Sequence, residues 1–290
     1  VYAQGAALVA NAIAEGAIWQ GEAWQQIVAG AKAGANGKAG VLHFIGLFSD
    51  GNVHSHIDHL KAMVVRAKEE GVATVRIHAL LDGRDVPETS ALDYVVPFEA
   101  FLQDISRDGF DARIASGGGR QTITMDRYDA NWPMVARGWR THVLGEGPQF
   151  ANATDAVHGL REKHPGTIDQ DLPEFIVAEF DETGRGKPIG TIEDGDSVVF
   201  YNFRGDRAIE ITRAFVEEDF TEFDRVRHPR VTYAGMLQYD GDLQLPKRFL
   251  VAPPAIKDTS AEWFSKSGLA QFACSETQKF GHVTYFWNGN

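Results

Sequence analysis

A single cysteine, Cys274, stands among 290 residues. No intrachain disulfide can form, which fits a reducing compartment and predicts a cytoplasmic protein. Cys274 itself is expected to be a small buried residue within the apolar pattern Phe264, Leu269, Phe272. No apolar run approaches the roughly 20 residues of a membrane-spanning helix. Excess positive charge is also missing: 28 Lys and Arg face 40 Asp and Glu, for a net charge of −12. That excludes a broad basic face for nucleic acid but not a local basic pocket. The N-terminal Val1-Tyr2-Ala3-Gln4 has neither a basic stretch nor an initiator methionine, so the chain is expected to be part of something longer. There is no internal repeat and no low-complexity tract. What is present is ordinary globular material, 43% hydrophobic and 23% charged. At this size folding needs neither disulfides nor a structural metal.

Apolar runs alternate with helical patterns. Strands are expected at 41–48, 72–81, 111–115, 174–180, 197–203, 231–238 and 248–252. Helices are expected at 54–70, 90–107, 153–163 and 206–217. The 54–70 pattern sets Ile57, Leu60, Val64 and Ala67 on one stripe. This β-α-β alternation predicts an α/β fold, a largely parallel sheet flanked by helices. Ala252-Pro253-Pro254 marks the clearest boundary, because a proline pair cannot continue a central strand. Beyond it a helix (260–273) and a short strand (282–287) are expected. Two elements cannot build a core alone.

Five stretches carry the polar residues that chemistry needs. Ser49-Asp50-Gly51-Asn52-Val53-His54-Ser55-His56-Ile57-Asp58-His59 lies where a strand gives way to a helix, the place where open α/β sheets bind ligands. Imidazoles suit metal ions, but on a helix residues 54 and 56 lie about 200° apart and cannot face one ion. Asn52 or Ser49 is expected to cap that helix. Leu81-Asp82-Gly83-Arg84-Asp85 offers a guanidinium fork for an anion and a carboxylate able to accept a hydroxyl proton, before a Thr89 or Ser90 cap. Gly117-Gly118-Gly119-Arg120, with Arg127 beyond it, has the glycines of an anion loop but lacks the Gly-Lys-Ser/Thr of a nucleotide loop. Asn202-Phe203-Arg204-Gly205-Asp206-Arg207 places two arginines at an expected helix start, where an anion would be welcome. The fifth, Ser275–His282, contains Lys279 in a loop where exposure alone would explain it. Loops that concentrate cations in an acidic chain suit a small, multiply anionic substrate.

The strings Val53-His54-Ser55-His56, Leu81-Asp82-Gly83-Arg84-Asp85-Val86, Ser275-Glu276-Thr277-Gln278-Lys279 and His282-Val283-Thr284-Tyr285-Phe286 closely resemble cofactor-independent phosphoglycerate mutase. The likeness runs in order along nearly the whole chain and is greatest to the branch found in plants and trypanosomatids. In that family a transferase domain is inserted into an alkaline-phosphatase-like domain, which carries two divalent metal ions, usually manganese, and a serine that becomes phosphorylated. The resemblance therefore implies that residues 1–252 are the transferase domain with an N-terminal linker. Residues 253–290 would be a helix and strand of the phosphatase-like domain. It implies substrate-binding roles for His54, Arg84, Asp85, Arg120, Arg127, Arg204, Arg207 and Lys279, with Asp85 as the acid/base for the glycerate hydroxyls. The implied substrate is 2- or 3-phosphoglycerate, held by a monomer that needs no 2,3-bisphosphoglycerate. The family's serine motif and metal ligands are expected outside residues 1–290, so the chain alone is expected not to turn over. Two other readings remain: a module that holds phosphoglycerate without chemistry, and a metal-dependent hydrolase using His54, His56 and His59.

Overall fold

Where β-branched and aromatic residues cluster between turn signals, the chain forms strands. The computed structural model describes residues 5–35, 37–253, 256–284 and 286–288. Among these, eight strands form one sheet: β1 (Leu42–Phe48), β2 (Thr74–Leu81), β3 (Asp111–Gly119), β4 (Gln149–Phe150), β5 (Phe175–Phe180), β6 (Gly186–Pro188), β7 (Ser197–Phe200) and β8 (Thr232–Gly235). Their order is β4-β5-β3-β2-β1-β7-β8, with β6 on β5. The central pairs β3–β2, β2–β1, β1–β7 and β7–β8 are parallel, while β5 runs antiparallel to β3 and β6. Every residue of β1 is buried, as a strand covered on both faces must be.

Ten α-helices lie among the described residues, besides short π and 3-10 turns: α1 (Gly5–Ala14), α2 (Ala17–Gln20), α3 (Glu22–Ala33), α4 (Ile57–Glu69), α5 (Ala91–Ile105), α6 (Trp132–Trp139), α7 (Ala153–Lys163), α8 (Ile209–Val216), α9 (Ser260–Lys266) and α10 (Phe280–Val283). The stripe Ile57, Leu60, Val64, Ala67 of α4 is buried, as its spacing predicts. Helices α1 to α3 were not foreseen, yet Val9, Ile18, Trp24, Ile27 and Ala31 lie in the core. No described helix is long and apolar enough to cross a membrane.

Two features of this sheet place the loops. Phe48 pairs with Leu81, and Leu81 with Gly119, so β1, β2 and β3 end level and their following loops leave side by side. The chain runs from β1 outward through β2 to β3, then returns to build β7 and β8 on the other side of β1. The boundary between β1 and β7 is thus a topological switch point, where a crevice opens at the carboxyl ends of the strands.

Several local expectations fail for identifiable reasons. Gly117–Gly119 do not form an anion loop but finish β3: a Cβ at Gly117 would meet the Ala79 carbonyl at 2.4 Å and the Phe175 ring at 2.6 Å. Helix α4 is capped by neither Ser49 nor Asn52. His56 does so, its Nδ1 accepting from the Asp58 N–H at 3.1 Å. Ser90 stands at the start of α5 without a side-chain cap, and Asp169 Oδ2 accepts from the Ala91 N–H instead. Residues 248–252 make only an isolated bridge, Gly235 to Phe249. The helix expected to reach residue 273 stops at Lys266, with Gly268 at φ +72° just beyond. The strand expected at 282–287 is replaced by α10 and a 3-10 turn, and Tyr285 lies outside the described residues. Cys274, expected to be buried, is exposed, because the shortened helix leaves Leu269 and Phe272 exposed too. Of the expected Pro253-Pro254 boundary, Pro254 also lies outside the described residues.

Candidate active site

Four loops meet at the carboxyl ends of β1, β2, β3 and β7. The first is pinned from below. Ser55 Oγ donates to the Leu47 carbonyl at 2.5 Å, and the His54 carbonyl accepts from the Phe203 N–H at 2.7 Å. Asn202 Oδ1 accepts from the Leu47 N–H at 2.9 Å, tying the exit of β7 to β1. This close approach needs Gly46, where a Cβ would sit 2.8 Å from Asn202 Oδ1.

Two carboxylates organise the cations. Asp82 is buried, and its Oδ1 accepts from the Arg84 and Asp85 N–H groups, both at 3.1 Å, forming the turn after β2. Its Oδ2 accepts from Ser49 Oγ at 2.6 Å. Arg120, buried as β3 ends, places Nη1 at 3.0 Å from Asp82 Oδ1 and 2.5 Å from Asp85 Oδ2. Asp206 is the second centre. Arg204 Nε lies 2.9 Å from its Oδ1, Arg127 Nη1 3.5 Å from its Oδ2, and His54 Nδ1 3.8 Å from its Oδ1. Arg207 is buried, and its Nη1 donates to the Met125 carbonyl at 2.5 Å.

The electrostatics follow from this crowding. Burial, then the charges of Arg120, Arg204, Arg207 and Arg127, push the His54 imidazole down to about 2, so it is neutral at physiological pH. Burial beside Arg127 and Arg120 lowers Arg207 to about 10. Glu210, on the first turn of α8, is raised to about 8 by burial and by neighbouring Asp126. Five guanidiniums, those of Arg84, Arg120, Arg127, Arg204 and Arg207, gather with three carboxylates. Such a site is short of negative charge and would welcome a compact anion.

His54, Arg84, Asp85, Arg120, Arg127, Arg204 and Arg207 are therefore brought together. Lys279 is exposed at the end of a 3-10 turn, Thr277–Lys279, and the next residue, Phe280, sets its ring 6.2 Å from that of Tyr128, edge to face. His56 and His59 do not join His54: His56 caps α4, and the His59 ring lies 6.2 Å from Phe203. Among the described residues, no group of three or more His, Cys, Asp and Glu is arranged to hold a metal ion. Sequence reasoning missed Asp82 and Asp206 as centres. The available signal was their place inside the arginine motifs, Asp-Gly-Arg-Asp and Arg-Gly-Asp-Arg.

A family model described as the BPG-independent PGAM N-terminus matches residues 9–241. The chain belongs to that family. Over 290 residues it is 57% identical to a probable 2,3-bisphosphoglycerate-independent phosphoglycerate mutase of Leptospira interrogans, covering 100% of this chain and 51% of that protein. It is 50% identical to the 2,3-bisphosphoglycerate-independent phosphoglycerate mutase of Trypanosoma brucei brucei, again covering 100% of this chain and 51% of the relative. A crystal structure of Leishmania mexicana phosphoglycerate mutase at low cobalt concentration superposes with a TM-score of 0.93 at 52% identity, covering 99% of this chain and 51% of that one. This BPG-independent PGAM N-terminal chain thus spans about half the length of the relatives it matches.

Proposed function

We propose that this chain is the substrate-holding part of a phosphoglycerate mutase that interconverts 3- and 2-phosphoglycerate without 2,3-bisphosphoglycerate. The observation that carries the reading is the gathering of Arg127, Arg204 and buried Arg207 about Asp206 and His54, in a chain whose net charge is −12. Phosphate and carboxylate both match the planar fork of a guanidinium. In this reading the arginines grip the phosphate and carboxylate of the glycerate. Neutral His54 adds a hydrogen bond rather than a charge. Asp85, held by Arg120, takes a proton from one glycerate hydroxyl and returns one to the other. Lys279 neutralises charge as the phosphoryl group transfers.

The relatives are twice as long as this chain, and we assign the phosphorylated serine and two divalent ions, manganese by resemblance, to their other half. The residues described here do not fit a divalent ion, so no step is derived through one. We divide the chain at residue 252 into a transferase domain and the start of a phosphatase-like one. The reading includes a cytoplasmic monomer, its location supported by the single cysteine.

Calorimetric titration with 3-phosphoglycerate tests the holding role, and an assay with manganese tests turnover. Saturable binding without conversion is the expected pair of results. No binding heat in a folded sample rejects the holding role, and conversion by this chain alone rejects the division of labour.

A further inference from the structure

Beneath the site, a row of polar side chains crosses the sheet through otherwise apolar core. Asp196, one residue before β7, places Oδ2 3.1 Å from His43 Nε2 on β1. His43 Nδ1 lies 2.9 Å from His78 Nε2 on β2, and His78 Nδ1 lies 2.7 Å from Ser116 Oγ on β3. Ser116 Oγ lies 2.8 Å from His142 Nδ1, and His142 Nε2 lies 3.0 Å from Thr124 Oγ1. All six residues are buried. His142 sits in a π-helical turn, Arg140–Leu144, a rare local form often kept for function.

The chemistry allows this row only one direction. Asp196 already accepts from the Val41 and Glu193 N–H groups, so its carboxylate acts as the terminal acceptor. His43 must then donate from Nε2 and accept at Nδ1. A neutral imidazole has one N–H, and burial keeps all three rings neutral. Each later link follows: His78 donates from Nε2, Ser116 donates to His78 Nδ1, His142 donates from Nδ1 to Ser116, and Thr124 donates to His142 Nε2.

The far end of the row is unusual. Thr124 is β-branched yet has φ +66°, in the left-handed region. It is clamped there by its N–H on the Met134 carbonyl and by Gly138, where a Cβ would meet Thr124 Oγ1 at 2.1 Å. The next residue, Met125, offers the carbonyl that receives Arg207, and Arg127 follows two residues later.

We propose that His142 and Thr124 are positioning residues for the anion-binding arginines: a one-way hydrogen-bond row anchored on Asp196 holds the 124–127 loop in the shape that sets Arg207 and Arg127. This rests on the substrate-site reading above only for the purpose of the loop, not for the row itself.

Nitrogen NMR of the 290-residue chain tests it without needing turnover. The expected tautomers are Nε2–H for His43 and His78, and Nδ1–H for His142. Ser116→Ala breaks the row at its middle. It should move His142 to Nε2–H, shift the amide signals of residues 124–127, and weaken 3-phosphoglycerate binding at least fivefold. Thr124→Val should shift the same amides, whereas Thr124→Ser, which keeps the hydroxyl, should keep the wild-type His142 tautomer. A different set of tautomers overturns the proposal. So does a folded Ser116→Ala chain with unmoved loop signals; if that variant does not fold, an unmoved loop in Thr124→Val decides against it. Tautomers and loop shifts as expected, in a chain that binds no phosphoglycerate, would uphold the row and reject the substrate reading.

Discussion

Arg120 and Asp85 are joined at 2.5 Å, and the same Arg120 nitrogen reaches Asp82 at 3.0 Å. One buried guanidinium thus holds both the proposed proton carrier and the carboxylate that shapes its turn. Arg120→Ala would leave Asp82 buried without its cation. Removing one partner of a buried pair typically costs about 3–5 kcal/mol. Urea unfolding should show a loss of that order, and a change below about 1 kcal/mol would mean the pair is not the support of this turn.

Arg204 differs, because its side chain is partly exposed over Asp206, which Arg127 also reaches. Arg204→Ala leaves the buried Asp206 side chain with Arg127 as a remaining guanidinium neighbour, so it should lower the melting temperature less than Arg120→Ala does. It should weaken 3-phosphoglycerate binding by roughly 2–5 kcal/mol, the range for losing one partner of a buried charged contact. Equal dissociation constants for variant and wild type would remove Arg204 from the site.

Acid should destabilise this fold through its neutral histidines. His54 is lowered to about 2 and His142 to about 3, from an ordinary 6.5. The unfolded chain therefore takes up protons that the folded chain refuses. Stability is full above pH 6.5 and falls as pH drops below it, approaching about 1.4 kcal/mol per pH unit for each such group. Denaturant unfolding between pH 7 and 4 should show this slope, made shallower by His54→Gln.

Glu210 acts in the opposite sense. Its folded value of about 8 stands above the ordinary 4.5, so the folded chain binds the extra proton. Its contribution is complete below pH 4.5 and is lost as pH rises through about 8. Glu210→Gln keeps an acceptor for the Asp129 N–H, which now lies 3.1 Å from Oε1. The variant should lose less stability than wild type between pH 6 and 9, and parallel curves would show that Glu210 is ionised in the fold.

Gly46 permits the closest approach between the β1 and β7 ends. In Gly46→Ala the new methyl would press on Asn202 Oδ1 and the Tyr201 ring, both 2.8 Å away. Overpacking of this kind costs about 1–3 kcal/mol. Thermal unfolding should register it, together with weaker phosphoglycerate binding as Arg204 and Arg207 shift with Asn202.

Apolar runs alone were enough to place β1, β2 and β7, and a helical period of apolar residues to place α4, α5 and α7. The arginine-bearing strings were equally visible as residue types at expected strand ends. Their convergence was not visible. It follows from the level ends of β1, β2 and β3 and from β7 returning to the other side of β1, which are matters of register and strand order. Asp82 became a centre only when Arg120, 38 residues further along, reached it, and Asp206 only when the distant Arg127 and His54 did. The glycines at 117–119 looked like an anion loop because glycine permits both a loop and a tight strand contact, and only the neighbouring Ala79 carbonyl and Phe175 ring decide between them. His43, His78 and His142 gave no local sign of a row, since hydrogen-bond partners from three strands, a π-helical turn and two loops must be packed together before any one of them acquires a direction. Local pattern carries what adjacent residues decide; charge clustering and proton order depend on distances that only the folded sheet sets.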